Sequence, residues 1–184
     1  MPIDFFVEAH KTTSSAVKFG LCDDAPPATN PAYIDENNNA KWIGIVNNTK
    51  SIEVSFHPID YCVDIRRADN QQAKRCDGLL KYGNNIHFIE LKDRMDIDTY
   101  TTSSGKIVLS WLDKGIEQLK ETIEHFIIHH NQADYSFQDC YVCNKQVFRK
   151  STATHIAQFK NDTKVILGGN GLILCPNKTV NFNS

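Results

Sequence analysis

The chain has 184 residues, with 20 lysines and arginines against 22 aspartates and glutamates, for a formal net charge of −2. Hydrophobic residues make up 41% and charged residues 23%, which excludes wholesale disorder, collagen-like repeats and low complexity. The length is enough to bury the core of one α/β domain, and the near-neutral total excludes a protein that coats nucleic acid by bulk charge alone.

Taken in chain order, the first residues, Met1-Pro2-Ile3-Asp4-Phe5-Phe6, lack the basic and apolar regions of a secretory leader. No run approaches the roughly 20 apolar residues of a membrane span. The expectation is a cytoplasmic protein that avoids the membrane. Asp4 to Lys11 suits a short helix. Residues 22–41 read as a loop, with Asp23-Asp24, Pro26-Pro27, Pro31 and Asn37-Asn38-Asn39. Trp42 to Val46 suits a strand, and Asn47-Asn48-Thr49-Lys50 supplies turn chemistry. Ile52, Val54 and Phe56 alternate with polar neighbours, which predicts a hairpin partner.

Arg75 to Tyr82 and Ile86 to Lys92 are two strand-like runs around Gly83-Asn84-Asn85, the clearest hairpin in the chain. A polar loop over 93–106 follows. Leu112, Ile116, Leu119, Ile123 and Phe126 then recur at four- and three-residue steps, which predicts one amphipathic helix from Val108 to His129. Tyr135 to Arg149 is strand-like, and Ser151 to Phe159 suits a short helix. Lys164 to Leu167 and Leu172 to Cys175 flank Gly168-Gly169-Asn170-Gly171 and read as a final hairpin. No Gly-Lys-[Ser/Thr] follows those glycines, so they are not a phosphate loop.

There are six cysteines: Cys22, Cys62, Cys76, Cys140, Cys143 and Cys175. In a chain of this length they read as reduced thiols. Cys140-x-x-Cys143 is the only close pair. Cys175 or His155 could complete a zinc site with it, but ordinary buried thiols are the stronger reading. His125 and His129 have the spacing of a metal pair on a helix. With His130, they are better explained as polar groups that favour the negative end of the helix dipole.

The chemistry concentrates in the central hairpin. Burying a charge without a partner is expensive, yet two acids and a lysine sit on or beside apolar strands there. Glu90 and Lys92 are two apart and share one strand face. A two-residue turn at Asn84-Asn85, pairing Gly83 with Ile86, would set Asp77 opposite Lys92 and diagonal to Glu90. A four-residue loop over 83–86 would give the same pairing, and a three-residue loop would send Asp77 to the wrong face. Two adjacent carboxylates suit a hard cation such as Mg²⁺, with the Leu91 carbonyl as a third oxygen. Such a cation polarises a phosphoryl oxygen and helps generate hydroxide, and Lys92 would orient the water or offset charge. The competing reading is a structural ion pair on an exposed sheet face.

The pattern Asp77-x12-Glu90-x-Lys92, strand to hairpin to strand and then a long amphipathic helix, resembles the PD-(D/E)xK nuclease superfamily. That superfamily includes restriction endonucleases, RecB-type nuclease domains and archaeal Holliday-junction resolvases. The resemblance covers about residues 50–175 and leaves 1–41 as an N-terminal extension of a single domain. It implies a mixed α/β (α+β) sheet flanked by helices, a restriction endonuclease-like core. It implies a Mg²⁺-dependent nuclease, with Mn²⁺ as a substitute, acting on nucleic acid and on DNA before RNA. The setting would be restriction, anti-phage defence or DNA repair, as a homodimer or part of a larger complex.

Carried over by residue, Asp77 and Glu90 become the metal acids and Lys92 the catalytic lysine. Gln118 resembles the glutamine that RecB-like members place on the following helix; otherwise it is a solvated surface residue. Many members carry a further acid on a first helix, for which Glu8 is the best-placed candidate and Glu53 the second. Where the family often has proline before the first acid, this chain has Cys76. Arg66, Arg67, Lys74 and Arg75 could contact phosphates near the site; solvated loop charges are the competing reading, and at least as strong. A non-catalytic binding or assembly module of the same fold is the alternative, and a zinc-stabilised interaction protein is a third. Residues 140–184 carry six basic side chains against one acidic, and residues 64–94 seven against five. The net charge therefore averages over two basic blocks that could line one cleft.

Overall fold

The computed structural model describes residues 2–24, 29–93, 99–101, 107–145, 153–163, 171–175 and 179–181. The strands are β1 Thr12–Ser14, β2 Lys18–Cys22, β3 Tyr33–Asp35, β4 Gly44–Asn47, β5 Val54–Pro58, β6 Gly78–Tyr82, β7 Asn85–Lys92, β8 Thr99–Thr101 and β9 Ile107–Leu109. Helix α1 spans Ser110–His129 and is followed by β10 Ser136–Phe137, β11 Cys140–Asn144, α2 Ala153–Asp162, β12 Leu172–Cys175 and β13 Thr179–Asn181.

The main sheet is mixed, in the order β1-β5-β6-β7-β11-β12, with β10 also paired to β7. Strands β1, β5, β6 and β7 run antiparallel, and β11 and β12 run parallel to β7 and to each other. The parallel step from β7 to β11 needs a long crossover, and α1 supplies it. A second sheet has the order β13-β4-β2-β3.

Two cores lie on the two faces of the main sheet. Leu112, Ile116, Leu119, Ile123 and Phe126 of α1 are all buried, in one cluster with Leu79, Ile86, Phe88 and Val142. On the other face Phe19, Leu21 and Val46 of the second sheet, with Ile43 just ahead of β4, join Phe56, Leu80, Ile89, Leu91 and Tyr141. Each large apolar side chain so buried contributes roughly 1.5–3 kcal/mol. Phe159 of α2 belongs to the α1-side cluster. The mixed α/β class is as expected, but the flanking differs: both helices serve one face, and a sheet covers the other.

The local differences have physical causes. Within Asp4–Lys11 only a 3₁₀ turn, Glu8–His10, forms. The 22–41 stretch contains β3. Strands β4 and β5 make no hairpin, because they belong to different sheets. The buried Asn48 side chain holds Ile52 N–H at 3.2 Å and Ile52 O at 2.8 Å, and Ser51 takes φ 48°; this wide turn carries the chain from one sheet to the other. Within 93–106, β8 is present and pairs with β9. Tyr135–Arg149 contains two short strands, with 146–149 outside the described residues. Lys164–Leu167, one arm of the expected final hairpin, also lies outside them, while β12 pairs in parallel with β11.

Candidate functional site at the β6–β7 hairpin and helix α1

The hairpin closes one residue earlier than the asparagines suggest. Tyr82 pairs with Asn85, so Gly83-Asn84 is the loop. Gly83 takes φ 53°, a conformation that glycine adopts without a Cβ penalty. The register therefore slips by two and the faces are preserved. Continued past Gly78↔Ile89, it sets Asp77 opposite Glu90, where Lys92 was expected.

Ile86 and Phe88 face α1 while Ile89 and Leu91 face the second sheet. Alternation thus puts Glu90 and Lys92 under α1. Glu90 is fully buried and Asp77 is 8% exposed. Lys92 Nζ abuts Glu90 Oε1, yet neither buried Glu90 oxygen receives a well-formed hydrogen bond. Burial, and then the charge of Glu90, holds the Asp77 carboxyl well above its ordinary range. Burial pushes Glu90 up to about 7 against the pull of Lys92. Burial acts to lower Lys92, but Glu90 and Asp77 outweigh it and leave the ammonium raised.

Helix α1 contributes three residues at i, i+3 and i+7. At Gly115 an added Cβ would lie 3.2 Å from Glu90 Cγ and 3.6 Å from Lys92 Cε, so its absence lets the helix approach the charged strand. Gln118 Oε1 accepts from Lys92 Nζ at 2.9 Å, and its Nε2 donates to Arg75 O at 2.7 Å. The solvated-surface reading of Gln118 is thereby set aside. Thr122, fully buried, accepts from Cys76 N–H at 2.8 Å and donates to Gln118 O at 2.7 Å.

The backbone of Leu91 is also turned toward the site. Its N–H donates to Asp77 Oδ2 at 2.5 Å. In an extended strand one residue's N–H and C=O point the same way, so the Leu91 carbonyl faces the Asp77 side as well. The Asp77 and Glu90 carboxylates and that carbonyl fit a hard divalent cation. Asp77, Glu90 and Leu91 would hold it. Among the described residues, no three His, Cys, Asp or Glu side chains gather as a metal site, so the carbonyl is needed to complete the protein's share.

The basic residues expected on phosphates are engaged elsewhere. Arg67 makes a bidentate pair with Glu121 at 2.6 and 2.8 Å, and Lys74 pairs with Glu117; both tie the 66–74 segment to α1. Arg75 donates to Asp60 Oδ1 at 2.8 Å and Val63 O at 2.9 Å. Arg66 pairs with Asp64 at 3.0 Å and is half exposed. A cavity of about 300 Å³ lined by Lys74, Lys114 and Gln118 adjoins the site.

Glu8 lies exposed in its 3₁₀ turn, paired with Lys11, and its other charged neighbours are His57 and Asp4. It stands apart from the cluster. Glu53 is exposed ahead of β5. The acids that do sense the cluster are Asp60, which raises Glu90, and Asp23. Burial and then Asp60 push Asp23 to about 6, while Lys92 pulls it down. Both follow the last residues of strands, and no spacing in the sequence marks them. A polar i, i+3, i+7 line beside the apolar stripe of α1 was the signal available for Gly115 and Thr122.

Cys140 joins the α1-side core and Cys143 the opposite one, so the two thiols face apart and cannot share a zinc ion. Burial raises the Cys140 thiol to about 12. Side chains of Cys175 and His155 lie outside the described residues. His130 stacks on Phe126 with centroids 4.5 Å apart, which is core packing. No helix among the described residues is long and apolar enough to cross a membrane. No family model, curated protein or solved structure matches the chain.

Proposed function

We propose that the chain is a Mg²⁺-dependent nuclease of the PD-(D/E)xK kind, which hydrolyses phosphodiester bonds of DNA. One observation carries this reading. Asp77, Glu90 and Lys92 converge beneath α1, and the buried Glu90 carboxylate receives no well-formed hydrogen bond. A buried acid left in that state costs stability, and a site that exchanges a proton for a divalent cation accounts for the arrangement. When bound, the cation would polarise a phosphoryl oxygen and lower the pKa of a water.

The chain's own residues do the rest. With their protons exchanged for a cation, Asp77 and Glu90 would set two negative charges at one point between the hairpin strands. Lys92, aimed by Gln118, places an ammonium where an attacking water must be oriented and where charge grows in the transition state. Gln118 is itself fixed by the Arg75 carbonyl, so the lysine has little freedom to leave.

The test is cleavage of single- and double-stranded DNA by the whole protein with Mg²⁺ or Mn²⁺. Loss of cleavage in folded Asp77→Ala and Lys92→Ala variants is expected. The complete burial of Glu90 favours the second reading, a non-catalytic module of the same fold. That reading predicts nucleic-acid or partner binding with no cleavage under any divalent cation.

A further inference from the structure

The register of the hairpin singles out one hydrogen bond. A two-residue turn makes Tyr82↔Asn85 a hydrogen-bonded pair, and such pairs alternate along an antiparallel ladder. Leu80↔His87 and Gly78↔Ile89 follow, and the next would be Cys76↔Leu91. In that pair each N–H should bond the other's carbonyl. Neither does so in the ordinary way. The Leu91 N–H is taken by the Asp77 side chain, and the Cys76 N–H by the Thr122 hydroxyl at 2.8 Å. The ladder stops here although both residues are buried at the sheet centre.

We propose that Thr122 is a positioning residue whose hydroxyl draws the Cys76 N–H away from Leu91 and so frees the Leu91 carbonyl for a divalent cation. This rests on the metal-dependent reading above. The Thr122 hydroxyl suits the task because it is satisfied on both sides. It accepts from Cys76 and donates to the Gln118 carbonyl one helical turn back, at 2.7 Å. The lone pairs of Leu91 O are thus kept from the one donor that the register would supply. A residue with no N–H at position 76 would reach the same end by another route, and proline is that residue. The same contact fixes the residue next to Asp77 onto α1, two turns from Gly115 and one from Gln118. One helix face thereby sets the lysine, the acid and the carbonyl together.

The test is the affinity of the whole protein for Mn²⁺ by calorimetry, beside thermal unfolding and amide exchange at Cys76. Thr122→Val, close in shape but without the hydroxyl, should fold, let the Cys76 amide return to Leu91 O, and weaken Mn²⁺ binding about 10–100-fold, as loss of an outer-shell partner does. Thr122→Ser should keep affinity within about threefold. Adding Cys76→Pro to Thr122→Val should restore affinity, because the competing donor is then gone. If wild type binds Mn²⁺ and Asp77→Ala does not, but Thr122→Val binds as tightly as wild type, the inference about Thr122 is overturned and the metal site stands. A folded double variant that stays weak overturns it too. If wild type binds no divalent cation, the metal-dependent reading falls, and this inference with it.

Discussion

Glu90→Gln is the substitution in which stability and function should part most clearly. The wild-type carboxyl is fully buried and lifted from an ordinary 4.5 to about 7. In metal-free protein the folded state holds this proton more tightly than the unfolded state. Stability from this group is therefore full below pH 4.5 and is lost as pH rises through about 7. At 1.36 kcal/mol per pKa unit, the raised Glu90 carboxyl costs about 3 kcal/mol of stability at pH 8 relative to low pH, and about 1 kcal/mol at pH 5, where the folded carboxyl is still protonated and the unfolded one has begun to ionise. The wild type should thus lose roughly 2 kcal/mol between those pH values through this side chain. Glutamine keeps the shape and carries no charge, and Lys92 retains its bond to Gln118 Oε1. Urea unfolding in a chelating buffer should show Glu90→Gln more stable than wild type at pH 8, with the gap narrowing toward pH 5. Excess Mg²⁺ should stabilise wild type and leave the variant unchanged. A variant less stable than wild type at pH 8, or a gap independent of pH, would mean that burial does not hold the Glu90 carboxyl raised.

Other expectations follow from the same packing. Gly115→Ala should gain about 1 kcal/mol of helix propensity, yet press on Glu90 and Lys92; nuclease assays should show roughly 10–100-fold slower cleavage at an unchanged or higher Tm, and full activity would count against the site. Leu119→Ala, at the centre of the buried α1 stripe, should cost about 2–5 kcal/mol in urea unfolding. Burial lowers His87 to about 4, so its contribution is lost as pH falls from 6.5 to 4. His87→Gln should flatten that part of the acid limb by about 1 kcal/mol per pH unit. Arg67→Ala should change stability by less than about 1 kcal/mol and leave the salt slope of DNA binding unchanged, since Glu121 already holds the guanidinium; a slope smaller by about one ion would mean Arg67 reaches a phosphate.

The parts legible in the sequence are those with a period. The Ile86-to-Lys92 alternation gave the face of Glu90 and Lys92, and the five-residue stripe from Leu112 to Phe126 gave α1. The slip of the hairpin turned on whether glycine or asparagine takes the positive φ, and an even slip spared the site while moving Asp77 from Lys92 to Glu90. The second sheet escaped notice because β3 has three residues inside a Pro- and Asn-rich stretch, and because side-chain bonds of Asn48 break what looked like a hairpin. Arg67, Lys74 and Arg75 looked like free loop charges. Their partners Glu121 and Glu117 lie 54 and 43 positions away, and Asp60 lies 15 positions back. Only the fold brings them together. Gly115 and Thr122 were hidden among α1 residues whose polarity suggested solvent.

The central claim is that Lys92 performs chemistry beside a cation held by Asp77, Glu90 and the Leu91 carbonyl. It is tested most directly by measuring Mg²⁺-dependent DNA cleavage and Mn²⁺ binding on the same preparations of wild type and Lys92→Ala. The variant should fold, still bind Mn²⁺, and no longer cut. Cleavage by Lys92→Ala at the wild-type rate would contradict it.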